Sequence, residues 1–176
     1  MDTMRHTRLL VALPALACLA CPGDWDEPLG SAHGGHIDSK LVGDWRCDVV
    51  GEATKFRLAI LPFDDDQYVM TLVGLGEKKE FDTIWVRAFT TTVSGHDVMN
   101  VRVLEDDPRK GGWSYMRFHF PQDGHLAIDP VRKEPLRDVP DDVESRRAAI
   151  GDVFESPELW EDGYRCVPFK PEPATK

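Results

Sequence analysis

The sequence has a shortage of basic residues and a limited apolar content, and both restrict the classes of protein it can represent. Its 176 residues include 21 Lys and Arg against 31 Asp and Glu, a formal net charge of -10. Phosphate contacts need a basic surface, so this balance argues against a nucleic-acid partner. Hydrophobic residues make up 41%, enough for a core and too few for a polytopic membrane protein. The length fits one domain.

Sequence motifs for common enzyme chemistries are also missing. No Gly-x-Ser-x-Gly elbow is present, so a serine nucleophile at a strand-to-helix turn is not indicated. A glycine-rich phosphate loop and a dinucleotide-binding motif are absent as well. We therefore predict no catalytic residue and no cofactor, and we do not expect an enzyme.

Three groups of polar residues have the chemistry of metal ligands but not the spacing of a metal site. His33 and His36 flank two flexible glycines, and Asp64–Asp66 lacks the spacing of an EF-hand loop. His119 and His125 flank a predicted hairpin turn, where two exposed strand-end histidines are the simpler interpretation. Two cysteines without a histidine at ligand spacing do not form a structural zinc site. The sequence predicts no metal.

The N-terminus differs from the rest of the chain. Arg5 and Arg8 precede an apolar run over residues 9–20. These twelve residues would span about 18 Å as a helix, too short for a hydrocarbon core of roughly 30 Å. A basic start, a short apolar run and small residues at its end are typical of a secretory signal, which we predict over residues 1–20. A buried core helix is the alternative.

The end of this run, Leu19-Ala20-Cys21, resembles the lipobox of bacterial lipoproteins. The resemblance implies a lipidated Cys21 as the mature N-terminus, hence a membrane anchor through the lipid and a place in the cell envelope. Cys18 is the alternative site, and an ordinary cleaved signal is another interpretation. Pro22, rather than Asp, follows Cys21, which by resemblance implies the outer membrane.

Export would leave Cys47 and Cys166 for the folded domain. The periplasm and the cell exterior are oxidising, so we predict that these two cysteines form a disulfide. It would close a loop of about 120 residues and stabilise the fold by at most ~4 to 5 kcal/mol in the chain-entropy model. Two free buried thiols are the alternative.

Period-two hydrophobic patterns dominate the middle of the chain. They are separated by Gly and Asp turns and predict strands over 41–47, 55–61, 67–73, 81–92, 98–104, 113–120 and 125–128. A helix beginning at Pro140 and a last strand over 163–169 follow. This spacing is typical of an antiparallel sandwich or barrel. We interpret 21–36 as a flexible tether, 37–170 as the domain and 171–176 as a loose tail.

Gly43-Asp44-Trp45 in the first strand is similar to the Gly-x-Trp motif of lipocalins. The resemblance implies a small antiparallel meander barrel of the calycin type, with about seven or eight strands and a C-terminal helix. It also implies that Trp45 closes one end and that Arg165 lies over it. Trp45 as a plain core aromatic is the alternative. If the barrel closes, the first and last strands should be neighbours, because an unpaired edge is a liability.

Methionine and tryptophan side chains suggest a ligand cavity, since methionine adapts to irregular apolar shapes. The candidates are Trp45, Met70, Trp85, Met99, Trp113 and Met116. Ordinary core packing is the alternative. We expect an anchored binding module for an apolar small ligand or an envelope protein, or else a structural envelope protein with a filled barrel. An open apolar cavity of about 300 Å³ or more would favour the ligand.

Overall fold

Alternating apolar and polar side chains place eight strands in the chain. The computed structural model describes residues 25–75, 83–104, 112–122 and 124–170. Along each strand, apolar side chains at every second position face one side. The strands are β1 (Gly43–Val49), β2 (Lys55–Pro62), β3 (Gln67–Gly74), β4 (Ile84–Val93), β5 (His96–Val103), β6 (Ser114–His119), β7 (Leu126–Pro130) and β8 (Tyr164–Pro168).

The strands form a closed antiparallel barrel in which each strand pairs with its neighbours in sequence order. The ring closes where β1 meets β8, with Trp45 opposite Pro168 and Val49 opposite Tyr164. The predicted meander barrel and the predicted pairing of its terminal strands are confirmed. Closure leaves no unpaired edge between the first and last strands.

Large apolar side chains fill the barrel. The interior cluster includes Phe56, Leu58, Ile60, Tyr68 and Leu72, each at most 2% exposed. At the end where β1 begins, the buried Leu41 packs into the same cluster. Its carbonyl accepts a hydrogen bond of 3.0 Å from the Trp45 indole. The interior is therefore a continuous side-chain core.

The predicted disulfide is confirmed at the closure of the barrel. Cys47 on β1 and Cys166 on β8 are directly opposite in the register. Their sulfurs are bonded and their Cα atoms lie 4.0 Å apart. Both cysteines are buried in the interior cluster, so the bond joins the first strand to the last inside the core.

The predicted tether over 21–36 is wrong for residues 25–36, which pack on the outer wall of the barrel. Trp25 forms a β-bridge with Trp113. Leu29 is fully buried, and its N–H donates to the Asn100 side chain at 2.7 Å. At Gly30 the backbone approaches so closely that an added Cβ would lie 2.8 Å from Thr91. The domain therefore includes residues 25–36 and begins at least twelve residues before the predicted start at 37.

A helix and two 3₁₀ turns complete the cover over this wall. The helix α1 (Val143–Asp152) begins after Asp142, whose side chain caps it by accepting from Ser145 N–H at 2.8 Å. The expected start at Pro140 is therefore three residues too early, because the Asp142 cap and not the proline sets the first residue of the helix. The 3₁₀ turns are Glu134–Leu136 and Pro157–Leu159.

These elements enclose a second cluster outside the barrel. It contains Leu29, Val93, Val98, Tyr115, Val131, Leu136, Ile150, Leu159 and Trp160.

Among the described residues, no helix is long and apolar enough to cross a membrane. The predicted signal over 1–20, Cys18, Cys21 and the tail over 171–176 lie outside the described residues.

Candidate functional site: a pocket outside the barrel

The barrel interior holds four of the six predicted cavity residues, and they pack into its core. Trp45, Met70, Met99 and Met116 all belong to the interior cluster. Met99 and Met116 are directly opposite each other on β5 and β6. Each of the four is at most 7% exposed. Their arrangement agrees with core packing, the alternative that the sequence left open.

Trp85 and Trp113 do not line the interior, so their assignment to a cavity is wrong. Trp85 lies between inward-facing neighbours on β4 and is 52% exposed on the outer wall. Trp113 packs against the outer cluster and meets the Phe89 ring edge-on at 5.3 Å. The sequence itself indicated these outward positions. Trp85 is separated from Arg87, and Trp113 from Arg117, by an even number of positions, so each tryptophan shares a strand face with an arginine.

A pocket of about 440 Å³ lies outside the barrel, between the N-terminal segment and the start of α1. Trp25 forms one side, and Leu136, Val139 and Pro140 supply further apolar surface. The charged residues of its lining are Lys133, Glu134, Arg137, Asp141 and Arg146. Three positive and two negative side chains give this lining a charge of +1, against -10 for the whole chain.

Arg146 is the unusual member of the lining. It projects from α1 and is only 4% exposed, although arginine is almost never this buried unless it is paired. One guanidinium nitrogen, Nη1, donates to the Asp141 carboxylate, which is itself 91% exposed. Its Nε–H is buried and has no hydrogen-bond partner among the described residues. A buried donor without a partner costs free energy, so the site has unused hydrogen-bonding capacity.

Tyr115 and Trp25 hold the floor of the pocket in place. The two rings stack with centroids 4.3 Å apart, and the Tyr115 hydroxyl donates to the Glu27 carbonyl at 2.6 Å. Burial raises the pKa of Tyr115 to about 12, although the nearby Arg146 charge opposes the rise. The hydroxyl therefore stays protonated at neutral pH. These contacts tie the N-terminal segment to β6 beside Arg146.

A second buried charge, Asp129, lies on the outer face of β7 and is 1% exposed. Its carboxylate accepts from Arg165 at 2.6 Å and from Arg117 at 3.0 Å. Burial alone would raise the pKa of Asp129, but the bonds and charges of Arg165 and Arg117 outweigh burial and hold the pKa below its usual value. With both oxygens paired, Asp129 is a structural tie between β6, β7 and β8.

The expected position of Arg165 over Trp45 is wrong. Strand alternation points Arg165 away from the interior, where Trp45 lies, and toward Asp129 and Asp162.

His119 Nδ1 is 3.9 Å from Asp129, and His125 is exposed. No cluster of three or more metal-binding side chains occurs within the described ranges.

Sequence reasoning missed Arg146, Tyr115 and Trp25 as site residues. Arg146 is buried beside Tyr115 and Trp25, which lie far away in sequence, so no local periodicity reveals its burial. The only sequence signal was an arginine four residues before the buried Ile150, a spacing that places both on one helix face.

The fold and the pocket define the class of molecule: a filled eight-stranded antiparallel barrel with a partly charged pocket on its outer wall. No protein-family model, curated protein or solved structure matches the chain.

Proposed function

We propose that this chain is an exported, lipid-anchored protein of the cell envelope that binds a small anionic ligand in the pocket over Arg146. The filled barrel is its scaffold. The observation that carries the binding proposal is the buried Arg146, whose Nε–H lacks a partner among the described residues at the edge of a pocket of about 440 Å³. The anchor is supported by the sequence before Trp25, where the lipobox-like Leu19-Ala20-Cys21 follows an apolar run.

The chemistry of the pocket favours a carboxylate attached to an apolar group. A guanidinium binds carboxylates through two parallel N–H···O bonds, and these charge-assisted bonds are stronger than neutral ones. The exposed Asp141 carboxylate already occupies one of these donors. A ligand carboxylate can displace it at low cost, because an exposed aspartate regains its hydration. Trp25, Leu136 and Val139 would contact the apolar part.

A second candidate function is a structural envelope protein that binds no small molecule. The filled interior favours it, since the large side chains of the barrel leave the core continuous. In that case the outer pocket would hold only water, and Arg146 would act only through its contacts with Asp141 and Tyr115.

Benzoate is a suitable probe for the binding proposal, because it combines a carboxylate with an apolar ring. Calorimetric titration of the purified protein should show saturable binding. Arg146→Gln should weaken it by about tenfold or more, since charge-assisted hydrogen bonds contribute roughly 1.5 to 3 kcal/mol. Arg137→Gln, an exposed cation in the same lining, is the matched control and should change the affinity much less. Equal losses in both variants, or no binding, would favour the structural function.

Fatty-acid labelling tests the anchor. Labelled palmitate should enter the wild type and Cys18→Ser but not Cys21→Ser. Labelling that disappears only in Cys18→Ser moves the anchor to that residue. An unlabelled wild type would contradict the anchor altogether.

A further inference from the structure

The outer surface of the barrel is covered on one side, charged on another and apolar on a third. The N-terminal segment and α1 cover the wall around Val98 and Tyr115. Asp129 and its two arginines mark the wall of β7 and β8. The wall formed by β2 to β5, which we term the open wall, presents large exposed apolar side chains. They are Leu61 (53% exposed), Phe63 (64%), Trp85 (52%) and Leu104 (50%).

Strand register makes the open wall continuous. Leu61 is opposite Val69, which is opposite Arg87, which is opposite Arg102. The next row contains Thr71 opposite Trp85, and Leu104 N–H donates to the Trp85 carbonyl at 2.8 Å. Outward side chains in adjacent strands lie about 4.5 to 5.5 Å apart, so the rows form one surface. Arg87 and Arg102 lie among the apolar side chains of these rows, so the open wall is a mixed apolar and basic surface, and exposed apolar side chains grouped in this way mark an interaction site.

The open wall borders the place where the N-terminal segment enters the domain. The Arg102 guanidinium lies 5.8 Å from the Trp113 ring centroid, and Trp113 is bridged to Trp25. Four residue steps separate Cys21 from Trp25, a reach of roughly 14 Å at most when fully extended. A lipid on Cys21 would therefore hold this side of the barrel within reach of the bilayer surface.

We propose that the open wall lies against the membrane that holds the lipid anchor, with Trp85 and Leu104 in contact with the lipid interface. This proposal rests on the anchor at Cys21 given under the proposed function. Tryptophan is enriched at membrane interfaces, where its ring is buried and its N–H stays hydrated. Arginine can keep its charge among headgroups while its stem covers apolar surface. Arg87 and Arg102 place such charges among the apolar side chains of a protein with net charge -10.

Fluorescence quenching of the full lipidated protein in phosphatidylcholine vesicles tests this orientation. Acyl chains brominated near the headgroup quench a tryptophan in the interface, and acrylamide quenches one in water. The Trp85 signal is the difference between wild type and Trp85→Phe. Brominated lipid should lower it by about half or more, and vesicles should shield it from acrylamide, as for interfacial tryptophan.

Val167→Trp supplies the matched control. Val167 is half-buried on β8, which is four strands from β4, the strand of Trp85, in either direction around the ring. A tryptophan there should be unaffected by brominated lipid and remain open to acrylamide. Equal quenching at both positions would contradict a fixed orientation.

The outcomes separate this inference from the anchor itself. If the protein floats with vesicles but Trp85 behaves as in water, the open wall does not face the membrane and the anchor stands. If the wild type does not float, or Cys21→Ser floats equally well, the anchor fails and the orientation fails with it. Shielding of Trp85 in detergent, with a dimer that Trp85→Glu dissociates, would assign the wall to a second copy of the chain instead.

Discussion

The barrel interior and the outer pocket are built from different side chains. The interior cluster is apolar apart from two tyrosine hydroxyls, one indole N–H and the sulfurs, and its disulfide joins the first strand to the last. The pocket has five charged residues among its nine lining residues, including the buried Arg146. A buried ion pair seldom stabilises a fold more than apolar side chains of similar volume would. The comparison assigns stability to the interior and binding to the pocket.

The largest effect should follow from breaking the interior disulfide. Cys47→Ala and Cys166→Ala should each destabilise the domain by about 2 to 5 kcal/mol, since the bond closes a loop with a sequence separation of 119. Thermal unfolding measures the loss. The double variant should be close to either single one, because all three lack the same bond. Two free thiols in the native exported protein would contradict the interior bond.

A matched pair of leucines separates the interior from the outer surface. Leu58→Ala removes a side chain that is 2% exposed, whereas Leu104→Ala removes one that is 50% exposed. We expect a loss of about 2 to 5 kcal/mol for the first, as is usual for buried leucines, and within about 0.5 kcal/mol for the second. Denaturant unfolding gives both values. Similar losses would mean that the open wall is buried in the isolated protein.

Arg146→Gln tests how much the pocket contributes to folding. We expect a loss of about 1 to 3 kcal/mol, because a buried hydrogen bond to Asp141 disappears but the partner carboxylate is exposed. The exposed Arg137→Gln should lie within about 0.5 kcal/mol of wild type. A loss larger than that of Leu58→Ala would contradict the comparison, since it would make the pocket a main source of stability.

The smallest effect concerns pH. Asp129 has a lowered pKa in the folded protein. As pH falls below the ordinary value of 3.8, its carboxylate is therefore protonated first in the unfolded chain, which lowers the free energy of unfolding. Burial likewise lowers the pKa of His119, against the opposing Asp129 carboxylate, so that protonation favours the unfolded chain below about 6.5. Stability should therefore be highest above both values and fall toward acid.

Asp129→Asn distinguishes the two groups. The free energy of unfolding is measured between pH 7 and pH 3. In wild type it should fall more steeply below pH 3.8, and Asp129→Asn should lack this steeper fall. His119→Gln should remove the shallower fall near 6.5 instead. If Asp129→Asn leaves the fall in stability below pH 3.8 unchanged, other carboxylates cause that fall.

The barrel was predictable because its signals are local. Alternation indicated the strands, and Cys47 and Cys166 in the expected terminal strands indicated where the ring closes. The same alternation could have placed Trp85 outside, because Arg87 shares its face. The cover over the outer wall was not predictable in this way. Trp25 and Leu29 are isolated apolar residues in a polar segment, and their burial depends on partners such as Trp113 and Asn100, far away in sequence.

Arg146 was not predictable for the same reason. An arginine on a helix near acidic residues is usually solvated, and this one is buried beside Tyr115 and Trp25, which lie far away in sequence. The pocket therefore emerges from tertiary contacts between residue 25 and residues 133–146, which no short sequence window contains.

Nuclear magnetic resonance with benzoate tests the central comparison most directly. Labelled methionine methyl groups at Met70, Met99 and Met116 report on the interior, and the Arg146 Nε–H signal reports on the pocket. We expect benzoate to shift the Arg146 signal in a saturable way and to leave the three methyl signals unchanged. Shifts of the methyl signals with a stationary Arg146 signal would contradict it and place the ligand inside the barrel.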